Sequence, residues 1–132
     1  MNKIRGEFEV KLAPLPTHDT AKGSLLGRRS IEKQFHGELQ AISVGEMLAA
    51  GTTVKGSAGY VAIERVTGAL GGRTGSFVLQ HSGIMNRGEP HLVITVVPDS
   101  GTGELTGLTG KMAIEITQGR HFYEFEYDLP TG

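Results

Sequence analysis

The sequence predicts a single all-β domain, a closed antiparallel barrel of about eight strands. Three observations carry this. Glycine supplies 20 of the 132 residues, roughly twice the ~7% average, and it is spread along the chain, not gathered in a linker. Apolar and polar residues alternate with a period of two in most of the intervening segments, as in half-buried strands. Turn signals recur every ten to fifteen residues or so with no amphipathic helix between them, the spacing of a sandwich or barrel. The length fits one domain over residues 1–132, large enough for its own core.

The first strand is read over residues 4–12, with Ile4, Phe8, Val10 and Leu12 on one face and Arg5, Glu7, Glu9 and Lys11 on the other. Pro14 and Pro16 are expected to stop it, and residues 17–24 form a polar loop. Alternation resumes over 26–36, where Arg29, Ile31, Lys33 and Phe35 share a face. Gly37-Glu38 is a tight turn or bulge. Residues 39–50 read as a bent strand, because Gly45 and Gly51 bracket a run too short for a stable helix. Residues 59–67 are rich in β-formers, and Gly71-Gly72 is a strong hairpin signal leading into 75–84. Asn86-Arg87-Gly88 makes the next turn. Residues 91–97 form the most apolar strand, ended by Pro98. Residues 108–117 and 120–129 make a last hairpin about Gln118-Gly119. Closure removes the sheet edges that such apolar strands would otherwise expose. An eight-stranded barrel holds either packed side chains or one small ligand.

Charge and composition narrow the function classes. The net charge is −1, from 13 basic and 14 acidic side chains. A duplex-binding domain draws most of its affinity from a basic excess, so no nucleic-acid partner is expected. No stretch approaches the ~20 apolar residues of a membrane-spanning helix, and Met1 to Val10 lacks the apolar segment of a signal peptide. There is no cysteine, hence no disulfide framework and no thiolate metal site. A cytoplasmic protein is the expectation. Apolar residues on both faces of 92–97 point to a covered outer wall and a homo-oligomer.

Several segments together resemble the bacterial DUF3224 family of uncharacterised proteins. They are Lys33-Gln-Phe-His-Gly-Glu-Leu39, Ser43-Val-Gly-Glu-Met-Leu48, Gly59-Tyr-Val-Ala-Ile-Glu64 and Gly72-Arg-Thr-Gly-Ser-Phe-Val-Leu-Gln-His81, with Val97-Pro-Asp-Ser-Gly-Thr-Gly-Glu-Leu105 and His121-Phe-Tyr-Glu-Phe-Glu-Tyr127. The resemblance covers nearly the whole chain. It implies an allene oxide cyclase-like barrel with a central cavity. It implies no cyclase activity, since one fold hosts many functions, and it brings no catalytic residues with it.

The candidate site residues lie around the Gly71-Gly72 hairpin. Glu64 shares a face with Tyr60, Ala62 and Val66, and Gln80 shares one with Ser76, Val78 and Ser82. If these faces point inward, Tyr60, Glu64, Ser76 and Gln80 line the barrel. Glu64, in an apolar cavity, would then gain a raised pKa and serve with Tyr60 in acid–base catalysis. If the opposite faces point inward, Val61, Ile63, Phe77 and Leu79 fill the core and Glu64 is solvated. His81, Glu46 and Tyr123 are further candidates for the cavity wall. The alternatives are a surface or core-edge histidine, a bulge residue facing water and an aromatic of the core or an interface surface. No His-x-His pair supports a metal site, and no cofactor is expected. Ala41-Ile-Ser-Val-Gly45 lacks the strand-to-helix turn of a nucleophile elbow. The Asp99–Glu104 loop lacks the lysine and helix of a phosphate-binding loop, and its hydroxyls are expected to bond the local backbone.

Three functions follow: a barrel that binds a small apolar molecule, a cofactor-independent cyclase or isomerase using a cavity carboxylate, or a structural or interaction barrel with a filled core.

Overall fold

The computed structural model describes residues 1–130. Eight strands run as β1 (Asn2–Leu15), β2 (Leu26–Phe35), β3 (Leu39–Ala50), β4 (Ala58–Leu70), β5 (Arg73–Asn86), β6 (Glu89–Val96), β7 (Thr109–Thr117) and β8 (Arg120–Asp128). Each pairs antiparallel with the next, and β8 pairs with β1 to close the barrel. The expected architecture is therefore observed.

The hairpin turns explain the tight connections. Gly71 and Gly72 both have positive φ, 58° and 84°, and Arg87-Gly88 and Gln118-Gly119 repeat the pattern. Two successive left-handed residues give a turn whose twist matches that of the flanking strands. One boundary differs from expectation. β1 runs through Pro14 to Leu15. Its pairing with β8 ends at Phe8, so Pro14 sits on a free edge, where proline is tolerated.

The loop between β6 and β7 also differs. β6 covers β5 only from Leu79 upward, and residues 97–104 serve the rest of the β5 edge. Ser100 Oγ accepts from Val78 N at 3.0 Å, Thr102 Oγ1 from Ser76 N at 3.1 Å and Glu104 Oε1 from Thr74 N at 3.0 Å. The hydroxyls thus satisfy a distant strand and not the local backbone. A single 3-10 turn, Gly103–Leu105, follows. Leu105 and Leu108 then bury completely against the core.

Pairing is staggered around the barrel. From Pro14 on β1, successive partners are Arg29, Met47, Ala62, His81, Ile94, Met112 and Phe125. Phe125 then pairs with Ile4, far below Pro14 on the same strand. Strands in a closed barrel with such a stagger are strongly tilted. The lower half is solid. Phe35, Phe77, Leu79, Tyr123 and Phe125 are all buried there, with Phe77 and Phe125 stacked at 5.8 Å between centroids. Tyr123 closes this end by donating its hydroxyl to His36 O at 2.7 Å.

Candidate functional site

The inner face of β4 is Tyr60, Ala62, Glu64 and Val66, while Val61 and Ile63 are exposed. Glu64 therefore lies inside the barrel with no exposed surface. Its partner across the hairpin is Leu79, and Ala62 pairs with His81. The inner face of β5 is accordingly Phe77, Leu79 and His81. Ser76 and Gln80 are on the outer wall, which corrects their expected place in the lining. Ser76 instead bonds Thr102 at 2.7 Å. Glu46 also faces outward, paired with Arg28 at 2.6 Å. Tyr123 points inward but is consumed in closing the packed end. Of the predicted residues, the structure brings together Tyr60, Glu64 and His81.

Lys33 completes the group. Its ammonium donates to Glu64 Oε2 at 2.8 Å, and His81 Nε2 contacts the same oxygen at 2.6 Å. His81 Nδ1 lies 3.3 Å from the Tyr60 hydroxyl. The result is a chain, Lys33–Glu64–His81–Tyr60, running from the interior to a half-buried phenol. Lys33 sits on β2 and Glu64 on β4, so the contact crosses β3. The inner face of β3 there is Ser43, paired with Lys33, and Gly45, paired with Glu64. Those small residues leave room for the lysine stem to pass. The ammonium also lies 5.2 Å from the Phe8 ring centroid, a cation–π distance.

The electrostatics reverse the expected role of Glu64. Burial pushes its pKa up, but the His81 hydrogen bond and the Lys33 charge and hydrogen bond outweigh burial. The carboxyl is held at about 2, so Glu64 is ionised at neutral pH and orients His81 instead of trading protons. Its Oε1 and the Ser43 hydroxyl are buried without a hydrogen-bond partner. Ser43 lies near enough to favour the carboxylate slightly, yet no hydrogen bond joins the two. Burial, and then the Glu64 charge, hold the Tyr60 phenol above its ordinary value. Tyr60 therefore keeps its proton at neutral pH and is a donor. When the His81 ring is neutral with its proton on Nε2, Nδ1 accepts from Tyr60.

Above this chain the barrel stays open. Leu12, Met85 and Leu92 occupy inward positions yet are 44%, 44% and 40% exposed, and Met47 and Tyr60 are half-buried. This mouth is a basin and not an enclosed cavity. Three surface hollows, of ≈ 610, ≈ 350 and ≈ 340 Å³, are lined by none of Tyr60, Glu64 or His81, and only the third touches Lys33 and Ser43. Among the described residues no cluster of three His, Asp or Glu side chains could hold a metal ion, and no helix is long and apolar enough to cross a membrane.

Gly83 sets the position of Tyr60. A Cβ at residue 83 would overlap Cε1 of the Tyr60 ring. Gly83→Ala is expected to swing the ring outward and break its contact with His81. The Tyr60 phenol should then titrate closer to its ordinary value in an ultraviolet difference titration. Stability should fall by only ~1 kcal/mol, since the ring is half-exposed and can move. An unchanged titration would show that the ring does not depend on Gly83.

A family model described as "Protein of unknown function (DUF3224)" matches residues 4–127. Among solved structures, the chain is similar to a protein of unknown function of the DUF3224 family from Shewanella oneidensis MR-1. The two share 57% identity and a TM-score of 0.95, over 100% of this chain and 99% of that one. No curated protein matches. Two independent comparisons, one of sequence and one of structure, thus agree over essentially the full barrel, and the chain belongs to the DUF3224 family.

Proposed function

We propose that the protein binds a small, largely apolar molecule in the open half of its barrel, over the Tyr60–His81 floor. One observation carries the reading: Leu12, Met85 and Leu92 point into the barrel but remain wet, while the half beneath them is packed solid. Apolar side chains directed inward and left unfilled, with a few convergent polar groups, are the ordinary composition of a ligand site. Because the basin is open, affinity should be modest. The test uses Nile red, a neutral apolar dye, as probe. Its fluorescence should rise with the wild-type protein and fall away in a Met47→Glu, Met85→Glu double variant. A Val61→Lys, Ile63→Lys control, altered only on the outer wall, should keep the rise. A signal that follows the outer-wall pair, or no signal at all, overturns the proposal.

The hydrogen-bonded chain favours a second reading, a cofactor-independent isomerase or cyclase. Here His81 Nδ1 takes the Tyr60 proton as the Tyr60 oxygen removes one from the substrate, the transfers reverse when Tyr60 protonates the substrate at a second position, and the Glu64 carboxylate holds the His81 ring and its transient charge, the orienting logic of acid–base triads. Such chemistry would be lost in Tyr60→Phe while dye binding persisted.

A further inference from the structure

The outer wall has two unlike halves. Across β7, β8 and β1 it is ionic, with Lys3 on Glu124 at 2.6 Å, Arg5 on Glu115 at 2.6 Å and Arg120 on Glu7 at 2.7 Å. Across β3 to β6 it is aliphatic. Ile42, Val44, Leu48, Val61, Ile63, Ile84 and Val93 each expose about half their surface. They are contiguous: Leu48 pairs with Val61, Val61 with Ser82 and Ser82 with Val93, while Ile63 lies beside Glu46.

We infer that this β3–β6 wall is the interface between two copies of the chain, related by a two-fold axis. Three arguments favour a second copy over another occupant. The first is area. A folded monomer of 14.1 kDa exposes about 6,700 Å² by mass scaling, whereas this chain exposes 8367 Å². The excess is roughly 1,600 Å², and a standard interface needs ~800 Å² from each partner. The open mouth and this aliphatic wall share the excess. The second argument is shape. The face is one continuous run of paired strands, β3 to β6, and such a face can meet its own copy about a two-fold axis, as an isologous contact requires. The third is charge. Glu46 and Arg65 are the charged residues facing outward along β3 and β4, and they flank Val44 and Ile63 in the register. Arg28 holds only Oε1 of Glu46, at 2.6 Å, so an axis between the two sets the other oxygen of Glu46 in one copy against Arg65 of the other, whereas a strongly charged partner would find no counterpart there. The mouth and its polar chain lie on the other face of the sheet, so the interface neither needs nor blocks the proposed ligand site.

The test is sedimentation of the full chain at concentrations on the order of 100 μM, where even a micromolar Kd gives mostly complex. The expected mass is twice the 14.1 kDa of the chain. Val61→Lys with Ile63→Lys replaces two exposed side chains and should halve that mass while leaving the β-sheet circular dichroism unchanged. Arg65→Glu, which sets like charges against each other across the axis, should weaken the dimer. A wild-type protein that sediments at 14.1 kDa, a ring of three or more copies, or a dimer that survives the double lysine substitution overturns the inference.

Discussion

Glu64→Ala is expected to lower the unfolding free energy by about 3–5 kcal/mol, because removing one side of a buried ion pair strands the other charge. Lys33 is almost fully buried. Without Glu64 its ammonium keeps only the Phe8 and Phe35 ring faces, at 5.2 and 5.8 Å. Ring faces offset far less than a carboxylate does. Lys33→Met should cost less, since His81 still holds the Glu64 oxygen at 2.6 Å. The informative protein is the double variant Glu64→Leu, Lys33→Met. Buried pairs replaced together by apolar residues of similar size often come close to neutral. Here His81 Nε2 would remain unpartnered, so the double variant should stay somewhat below wild type yet well above Glu64→Ala. Guanidinium unfolding of wild type, Glu64→Leu, Lys33→Met and the double variant measures the coupling. Strict additivity of the two single losses would show that the pair stabilises nothing as a pair.

Much of the barrel is legible in the sequence because its signals are local. A period of two and a left-handed dipeptide turn need no tertiary context, and β3 begins and ends where the glycine bracketing and alternation put it. What fails is what depends on partners distant in sequence. Pro14 should end a strand on local grounds, yet the free edge of β1 accepts it. The Asp99–Glu104 loop looks like a self-contained turn, yet it serves as a substitute strand for β5. Its real partners, Thr74, Ser76 and Val78, lie more than twenty residues away.

The candidate site failed differently. Both faces of the β4–β5 hairpin are apolar, so hydrophobicity alone cannot say which is inside. The turn could have decided half of the question. A two-residue loop at Gly71-Gly72 makes Leu70 and Arg73 partners, and counting back places Leu79 opposite Glu64 and His81 opposite Ala62. Glu64 therefore belongs with Phe77, Leu79 and His81, never with Ser76 and Gln80. The second signal is Lys33, between Ile31 and Phe35 on the apolar face of β2. A cation there needs an acid from another strand, and Glu64 is the acid on the face of β4 that bears Ala62 and Val66. The lowered pKa of Glu64 was beyond reach, because it arises from Lys33 and His81 converging across three strands.

That pKa gives the second large effect, a loss of stability in acid. Glu64 takes up its proton near 4.5 as an unperturbed carboxyl and at about 2 in the folded barrel. Above 4.5 it is ionised in both states, and its contribution is complete. As the pH falls from 4.5 to about 2, the unfolded chain binds the proton and the folded barrel does not, so stability declines. Below that range both forms are protonated and the contribution is gone. Linkage sets the amount at ~3 kcal/mol. Glu7, Asp19, Glu104 and Glu124 also have lowered pKa values, but they lie on the surface, away from Glu64, and act alike in a Glu64→Gln variant. The difference in stability between wild type and Glu64→Gln thus isolates the buried group. It should be large and constant above 4.5 and shrink steadily toward pH 2. A difference that stayed flat across that window and fell as the pH rose above 4.5 would mean that Glu64 is protonated in the folded barrel at higher pH. Burial would then outweigh Lys33 and His81, and Glu64, not Tyr60, would hold the proton available to a molecule in the mouth.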